Sequence, residues 1–432
     1  MIANARIQPS NGASAGDRLD SWKEIAVYLR REVRTVQLWE KKEGLPVHRH
    51  FHRRLGSVFA FRSEIEDWKD QVSRAHRDTE ARPLHSRTGD WPMFQSLACP
   101  KTRSKAREAY LKGRYFWNQR SEEGLRKAIR CFESAMREDP QFALPYSGLA
   151  DSLTLLSFYE IVSPSEVMPQ ARRAAQRAIE LDSDSAEAHA SLADVFLHFD
   201  RDWQAADREY RRSIQCNPDY ALGYHWYANL LAARGQHEDA HLAIMHALEI
   251  NPVSIITLVW AGVTSHLAHQ FDDAIRHYQS ALELDPHFVW AHMYMAQALE
   301  QKGDFKMALQ EFETSSRLAG GNICVTAMIA HTHAISGDNS SARQILDELK
   351  TASHRHYMPS YDIAAVYAAL GNPHQMVHWL NRACRERNMK LFSLNHDPRF
   401  DPLRHCSGFK QVIEQVGLPQ YSQNRRSELH VV

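Results

Sequence analysis

One position returns every 34 residues, at Ala240, Ala274, Ala308, Ala342 and Met376, and Pro218, Pro252 and Pro286 keep the same interval. A period of that length is one helical hairpin, whose two helices cannot bury their apolar faces alone and do so by stacking on further copies. Small residues such as Ala240 and Ala274 let neighbouring helices approach, the aromatics Tyr210, Tyr278 and Phe312 fill the gap beside them, and proline stops the second helix. The predicted fold class is therefore mainly α, a solenoid over 106–390 with seven or eight units. They run over about 109–140, 142–183, 186–218, 221–252, 255–286, 289–320, 323–353 and 357–387, the second carrying an insertion near Ile161 to Pro169. After Asn388 the period lapses, and Asp397-Pro398-Arg399-Phe400-Asp401-Pro402-Leu403 leads into an amphipathic stretch that suits a cap over 391–420.

Composition excludes several classes. With 44% hydrophobic and 24% charged residues, the 432-residue chain reads as an ordinary globular protein with room for more than one domain. No apolar run reaches the roughly 18 to 20 residues of a membrane helix, and Met1 to Gly16 lacks a signal-peptide core, so a cytoplasmic, non-membrane protein is expected. The six cysteines form no Cys-x-x-Cys and are read as reduced and structural.

The zero net charge hides an asymmetry. From Asp17 to Arg77 there are 14 Lys and Arg against 10 Asp and Glu, whereas from Ala106 to Val432 the balance is 32 against 39. Within Arg30 to Arg62 nine basic residues face three acids, so the surplus is local.

Around that surplus the order of elements is specific. Ser21-x-x-Glu24 opens a helix with Trp22, Ile25, Ala26 and Leu29 on one face. A second helix follows over Val33 to Glu43, ending at Gly44. Val47 to His52 and Ser57 to Phe61 read as strands around an Arg53-Arg54-Leu55-Gly56 turn, and Ser63-x-x-Glu66 opens a third helix. Trp22, Trp39 and Trp68 are its expected core. His48, His50 and His52 alternate along a strand, but no carboxylate or cysteine completes a zinc site, so no metal is expected and they are read as surface.

Residues 21–29, 33–40, 44–47 and 61–68 resemble the small winged helix-turn-helix modules of MerR-like and excisionase-like DNA-binding proteins. What the resemblance implies is that Arg34, Thr35 and Gln37 face base edges of double-stranded DNA, Lys41 and Lys42 the phosphate backbone, and Arg49, Arg53 and Arg54 contact it from the wing. The expected organisation is a disordered N-terminus over 1–16, a winged helix-turn-helix domain over 17–77, a proline-bearing linker over 78–105, the solenoid, the cap and a disordered tail over 421–432.

The solenoid in turn is similar to tetratricopeptide repeat (TPR) arrays, which bind peptides along a concave groove lined by the first helix of each pair. The resemblance places His225, Asn229, Val259, Val263, Trp290, Met293 and Gln297 in that groove, with Trp226 and Trp260 nearby. The Lys and Arg clamp that holds a terminal carboxylate in chaperone adaptors is missing, and only Asn229 matches, so the expected ligand is an apolar or aromatic peptide, or a second copy of the chain. No Gly-rich phosphate loop, His-Glu-x-x-His or nucleophile elbow occurs, so neither catalysis nor a cofactor is expected.

Two functional readings follow. In the first, the chain is a DNA-binding transcriptional regulator whose solenoid binds a protein or peptide partner, with a homodimer reading an inverted repeat. In the other, it is a TPR scaffold whose winged module does not bind DNA. The local basic surplus and the Arg34 to Gln37 motif favour the first; Leu38, where modules of this kind often carry a basic residue, and the acidic body favour the second.

Overall fold

The computed structural model describes residues 17–19, 21–29, 36, 40, 45–50, 57–66, 68–69, 100–321, 323–352 and 358–418. The chain divides into two compact units, Met1–Phe94 and Gln95–Val432.

In the first unit, β1 (Arg18–Leu19), β2 (His48–His50) and β3 (Ser57–Phe61) form an antiparallel sheet in the order β1-β3-β2. The register pairs His48 with Phe59 and Leu19 with Ala60. Helix Trp22–Leu29 starts where the Ser21 hydroxyl accepts the Glu24 amide at 3.2 Å, the N-cap half of the expected capping box. Leu19, Ile25, Ala26, Val36, Leu45, Ala60 and Ile65 form a small buried core, with Trp22 and Trp68 packed on its edge. Trp39 lies outside the described residues. So does the second helix, apart from Val36 and Glu40, and the winged helix-turn-helix module is not shown.

The second unit is built from eight helical hairpins among the described residues. They are Pro100–Asn118 with Glu122–Glu138, Ala143–Phe158 with Pro164–Leu181, Ala186–Val195 with Trp203–Cys216, and Ala221–Ala233 with His237–Ile250. Ile255–Leu267 with Phe271–Leu284, Val289–Gln301 with Phe305–Leu318, Ile323–Ile335 with Asn339–Ala352, and Ser360–Ala369 with Pro373–Arg385 complete the array. The first helix begins at Pro100, inside the stretch read as linker, because proline fits the first turn, where its missing N–H would have no partner anyway.

The period has a visible cause. Ala240, Ala274, Ala308, Ala342 and Met376 are all fully buried, as are Tyr210, Tyr278 and Phe312. Asn217, Asn251 and Asp285, each preceding a proline, have ψ of 95°, 82° and 98°. The proline ring disfavours the helical ψ for the residue before it, so each of these three second helices ends two residues before the proline, with the intervening residue as its C-cap. Helices pack closest at glycine: a Cβ on Gly262 would meet Tyr278 Cε1 at 2.3 Å.

Gly262→Ala therefore forces the Tyr278 ring to move and should destabilise the array by about 1–3 kcal/mol. A urea midpoint equal to that of the unsubstituted protein would contradict the packing described for this pair.

Candidate functional site

The eighth hairpin does not end the solenoid outward. Short 3-10 turns at Met389–Ser393 and Pro398–Leu403 bring the chain back along the first helices of earlier pairs, and helix Ser407–Val416 then packs on Pro373–Arg385. Contacts with this returning segment fall on successive hairpins. Arg387 donates to the Phe199 carbonyl at 2.8 Å, and Phe392 sits edge-on to His198 at 4.9 Å. The His396 ring lies against Gly235 and within 5.1 Å of the His237 ring.

Charge holds the segment in place. Asp362, 1% exposed, lies between Lys390 Nζ at 2.6 Å and Arg399 Nη1 at 2.9 Å. Lys390 also reaches Glu160 at 3.1 Å, and Arg399 grips Asp397 at 2.7 Å. Asn388 donates to Glu160 at 2.6 Å and the Tyr361 hydroxyl to Asp397 at 2.9 Å. Burial alone would discharge these groups. The opposing charges win, holding Lys390 and Arg399 well above their ordinary values and Asp397 well below its own.

Glu160, Cys324 and Asp362 bring three potential ligand atoms within 4.8 Å of one another. The Lys390 ammonium already serves as their cation, and burial pushes the Cys324 thiol well up, away from the thiolate a metal needs. The cluster is an ion-pair network, not a metal centre.

The seven groove residues lie on the first helices, but the groove is occupied. Val259 is fully buried, and Val263, Met293 and Gln297 line a void of about 60 Å³ closed by Lys390, Phe392 and Arg399. Gln297 donates to Met328 Sδ at 3.3 Å, while His225 pairs with Thr257 Oγ1 at 3.2 Å. Asn229 is 4% exposed. Trp290 stacks on Tyr159 with ring centroids 3.8 Å apart and donates to the Arg120 carbonyl at 3.1 Å. The expectation that these seven side chains face an external peptide is corrected here: Val263, Met293 and Gln297 meet residues 390–399 of the same chain, and Trp290 meets the first two hairpins instead. The sequence signal for that return was weak: Lys390 and Arg399 fall after the repeat lapses, and nothing local pairs them with Glu160 or Asp362.

The expected DNA contacts Arg34, Thr35, Gln37, Lys41, Lys42, Arg53 and Arg54 lie outside the described residues, as does the Arg49 side chain. His48 pairs with Glu64 at 2.6 Å and stacks on Phe59, while the His50 side chain and His52 lie outside what is described.

Comparison with known proteins bears on this geometry. Tetratricopeptide repeat family models match residues 169–221, 209–241 and 266–319, so the chain carries TPR repeats. Superkiller protein 3 of Schizosaccharomyces pombe (strain 972 / ATCC 24843) is 25% identical over 247 residues, 55% of this chain and 17% of that protein. The APC/C hetero-tetramer Cut9-Hcn1 aligns with a TM-score of 0.51 at 13% identity, covering 82% of this chain and 59% of that one. A monomeric mutant of IFIT1 with m7Gppp-AAAA aligns with a TM-score of 0.50 at 15% identity, covering 82% and 77%. The likenesses establish a TPR-like solenoid.

Two outcomes test the site. Asp362→Asn leaves Lys390 and Arg399 short of a carboxylate and should cost about 3–5 kcal/mol in chemical denaturation, with the Asp362→Asn/Lys390→Gln pair costing less than the sum of the singles. Strict additivity would show that the two residues are not coupled. A second outcome concerns pH. Burial pushes Asp151 up to about 6 and Asp194 up to about 7. The folded chain thus holds protons that the unfolded chain releases above about pH 4, so these groups make stability fall as pH rises through 4–7, by at most about 1.4 kcal/mol per pH unit each. Asp194→Asn should flatten that slope; a pH profile parallel to the unsubstituted protein's would contradict the assignment.

Proposed function

We propose that this chain is a non-enzymatic cytoplasmic scaffold that binds a protein partner through its TPR solenoid. The observation that carries the reading is the array itself: eight stacked hairpins present a long, rigid surface, and the inner face is spent on the chain's own residues 387–404. Recognition then falls to other faces. On the first helix Leu111 and Tyr115, one turn apart, are 56% and 66% exposed, on the first hairpin among the described residues.

The DNA-binding regulator reading draws no support from the comparisons, whose repeat matches lie within 169–319. Its residues are open to direct measurement. Titration of the full chain into random duplex DNA at low salt is expected to give no binding. A steep loss of affinity with rising salt, reduced by Arg34→Ala and Arg53→Ala, would replace the scaffold reading with the regulator one.

For the scaffold reading, proteins captured on the immobilised full chain are purified and tested singly. At least one should rebind directly, and Leu111→Lys with Tyr115→Lys should weaken it about tenfold or more, the loss expected for truncating central apolar contacts. Failure of every purified candidate to rebind, or equal binding by the double variant, would reject it.

A further inference from the structure

The returning curve of the solenoid brings distant hairpins edge to edge. The Arg120 carbonyl in the first hairpin takes the Trp290 indole N–H from the sixth, and Glu160 of the second takes the Cys324 thiol from the seventh. Between these seams lies a cleft of about 690 Å³, lined by residues 119–122, 159–161, 285, 287–290, 318–319, 321 and 323–324. That volume is the size of an ordinary small-molecule site. Ser121, His287 and Ala319 form an exposed rim, while Arg120 and Tyr159 are buried beneath it.

Arg120 is the anomaly. Its backbone has φ of 53°, in the left-handed region that a residue with a Cβ disfavours. The residue is 5% exposed, with its guanidinium carbon 3.6 Å from the centroid of the Trp117 ring. The Tyr159 hydroxyl takes one hydrogen bond from it. Nε and Nη2 find no acceptor among the described residues. These two nitrogens share one edge of the guanidinium, the edge that grips two oxygens of a carboxylate or phosphate side by side.

Among the described residues no acid hydrogen-bonds that edge, although Asp151, whose Oδ2 has no hydrogen bond, acts on the Arg120 charge from nearby. Asp151 accepts from Ser191 at 2.5 Å and faces Arg114 at 3.6 Å. Among the acids that line the cleft, Glu160 is held by Lys390 and Asn388, Glu122 by Arg126 at 2.8 Å, and Asp285 accepts the His287 amide at 2.9 Å. Burial pulls Arg120 down from its ordinary value, and Tyr159 and Asp151 offset that only in part. A buried guanidinium with an open donor edge is destabilising where a methionine would pack without penalty. Such a conflict between local stability and local sequence is expected at a functional site.

We propose that the seam cleft binds an oxyanion carried by a small molecule, a phosphate ester or a carboxylate, with Nε and Nη2 of Arg120 as the paired donors and the Ser121 hydroxyl and His287 imidazole at its mouth. The site is separate from the partner surface of the scaffold reading and stands or falls without it.

The test is thermal unfolding and titration calorimetry of the full chain at matched ionic strength in sodium chloride, sodium phosphate and sodium acetate. Saturable stabilisation by phosphate or acetate beyond chloride is expected, and whichever of the two is stronger identifies the anion. Arg120→Met should abolish that shift while melting in chloride at the same temperature as the unsubstituted protein or higher. Arg120→Lys, which keeps the charge and loses the paired edge, should weaken binding at least tenfold and decides the matter if the methionine variant does not fold. Equal melting in all three salts, or a lysine variant that binds as tightly as the unsubstituted protein, would overturn the proposal.

Discussion

Asp362 is the residue on which the architecture of the repeat unit turns. It sits on the first helix of the last hairpin, almost wholly removed from water, and meets two cations that both arrive from the segment beyond the repeats. A carboxylate in that position is tolerable only because Lys390 and Arg399 reach it, and they are tolerable only because Glu160 and Asp397 complete the set. Removing any one member leaves a buried charge unanswered. The network therefore fixes where the chain goes after residue 387 more tightly than apolar packing, which accepts many arrangements.

Once that segment is fixed, much else follows. Leu391, Leu394 and Phe400 become fully buried, and the first helices of the array lose their exposed inner face. A solenoid normally carries its recognition surface there. Here that surface is structural, which turns attention to the outer helices, the first hairpin at Leu111 and Tyr115, and the seam where hairpins separated by about four repeats meet.

The sequence made the local part of this legible and hid the distant part. Ala240, Ala274 and Tyr278 announce their burial because every repeat solves the same packing problem at the same offset, and prolines mark each stop. First-helix positions such as Val259 and Gln297 were also readable, since their register follows from the period. Their burial was not, because what covers them lies about a hundred residues further along and pairs with Glu160, more than two hundred residues back. No periodicity encodes such a contact. Within the stretch read as a cap, helix Ser407–Val416 packs on Pro373–Arg385, whereas Met389–Ser393 and Pro398–Leu403 lie along the inner face. Arg120 escaped notice for a related reason: an arginine after a helix looks solvated until distant hairpins close over it.

The most direct measurement of the central claim is amide hydrogen exchange along the full chain. If residues 389–403 are locked into the array by the Asp362 network, their protected amides should exchange as slowly as those of the Ser360–Ala369 helix and lose that protection together with it under mild denaturant. Exchange of this segment within seconds while the hairpins stay protected would show that it does not fill the inner face.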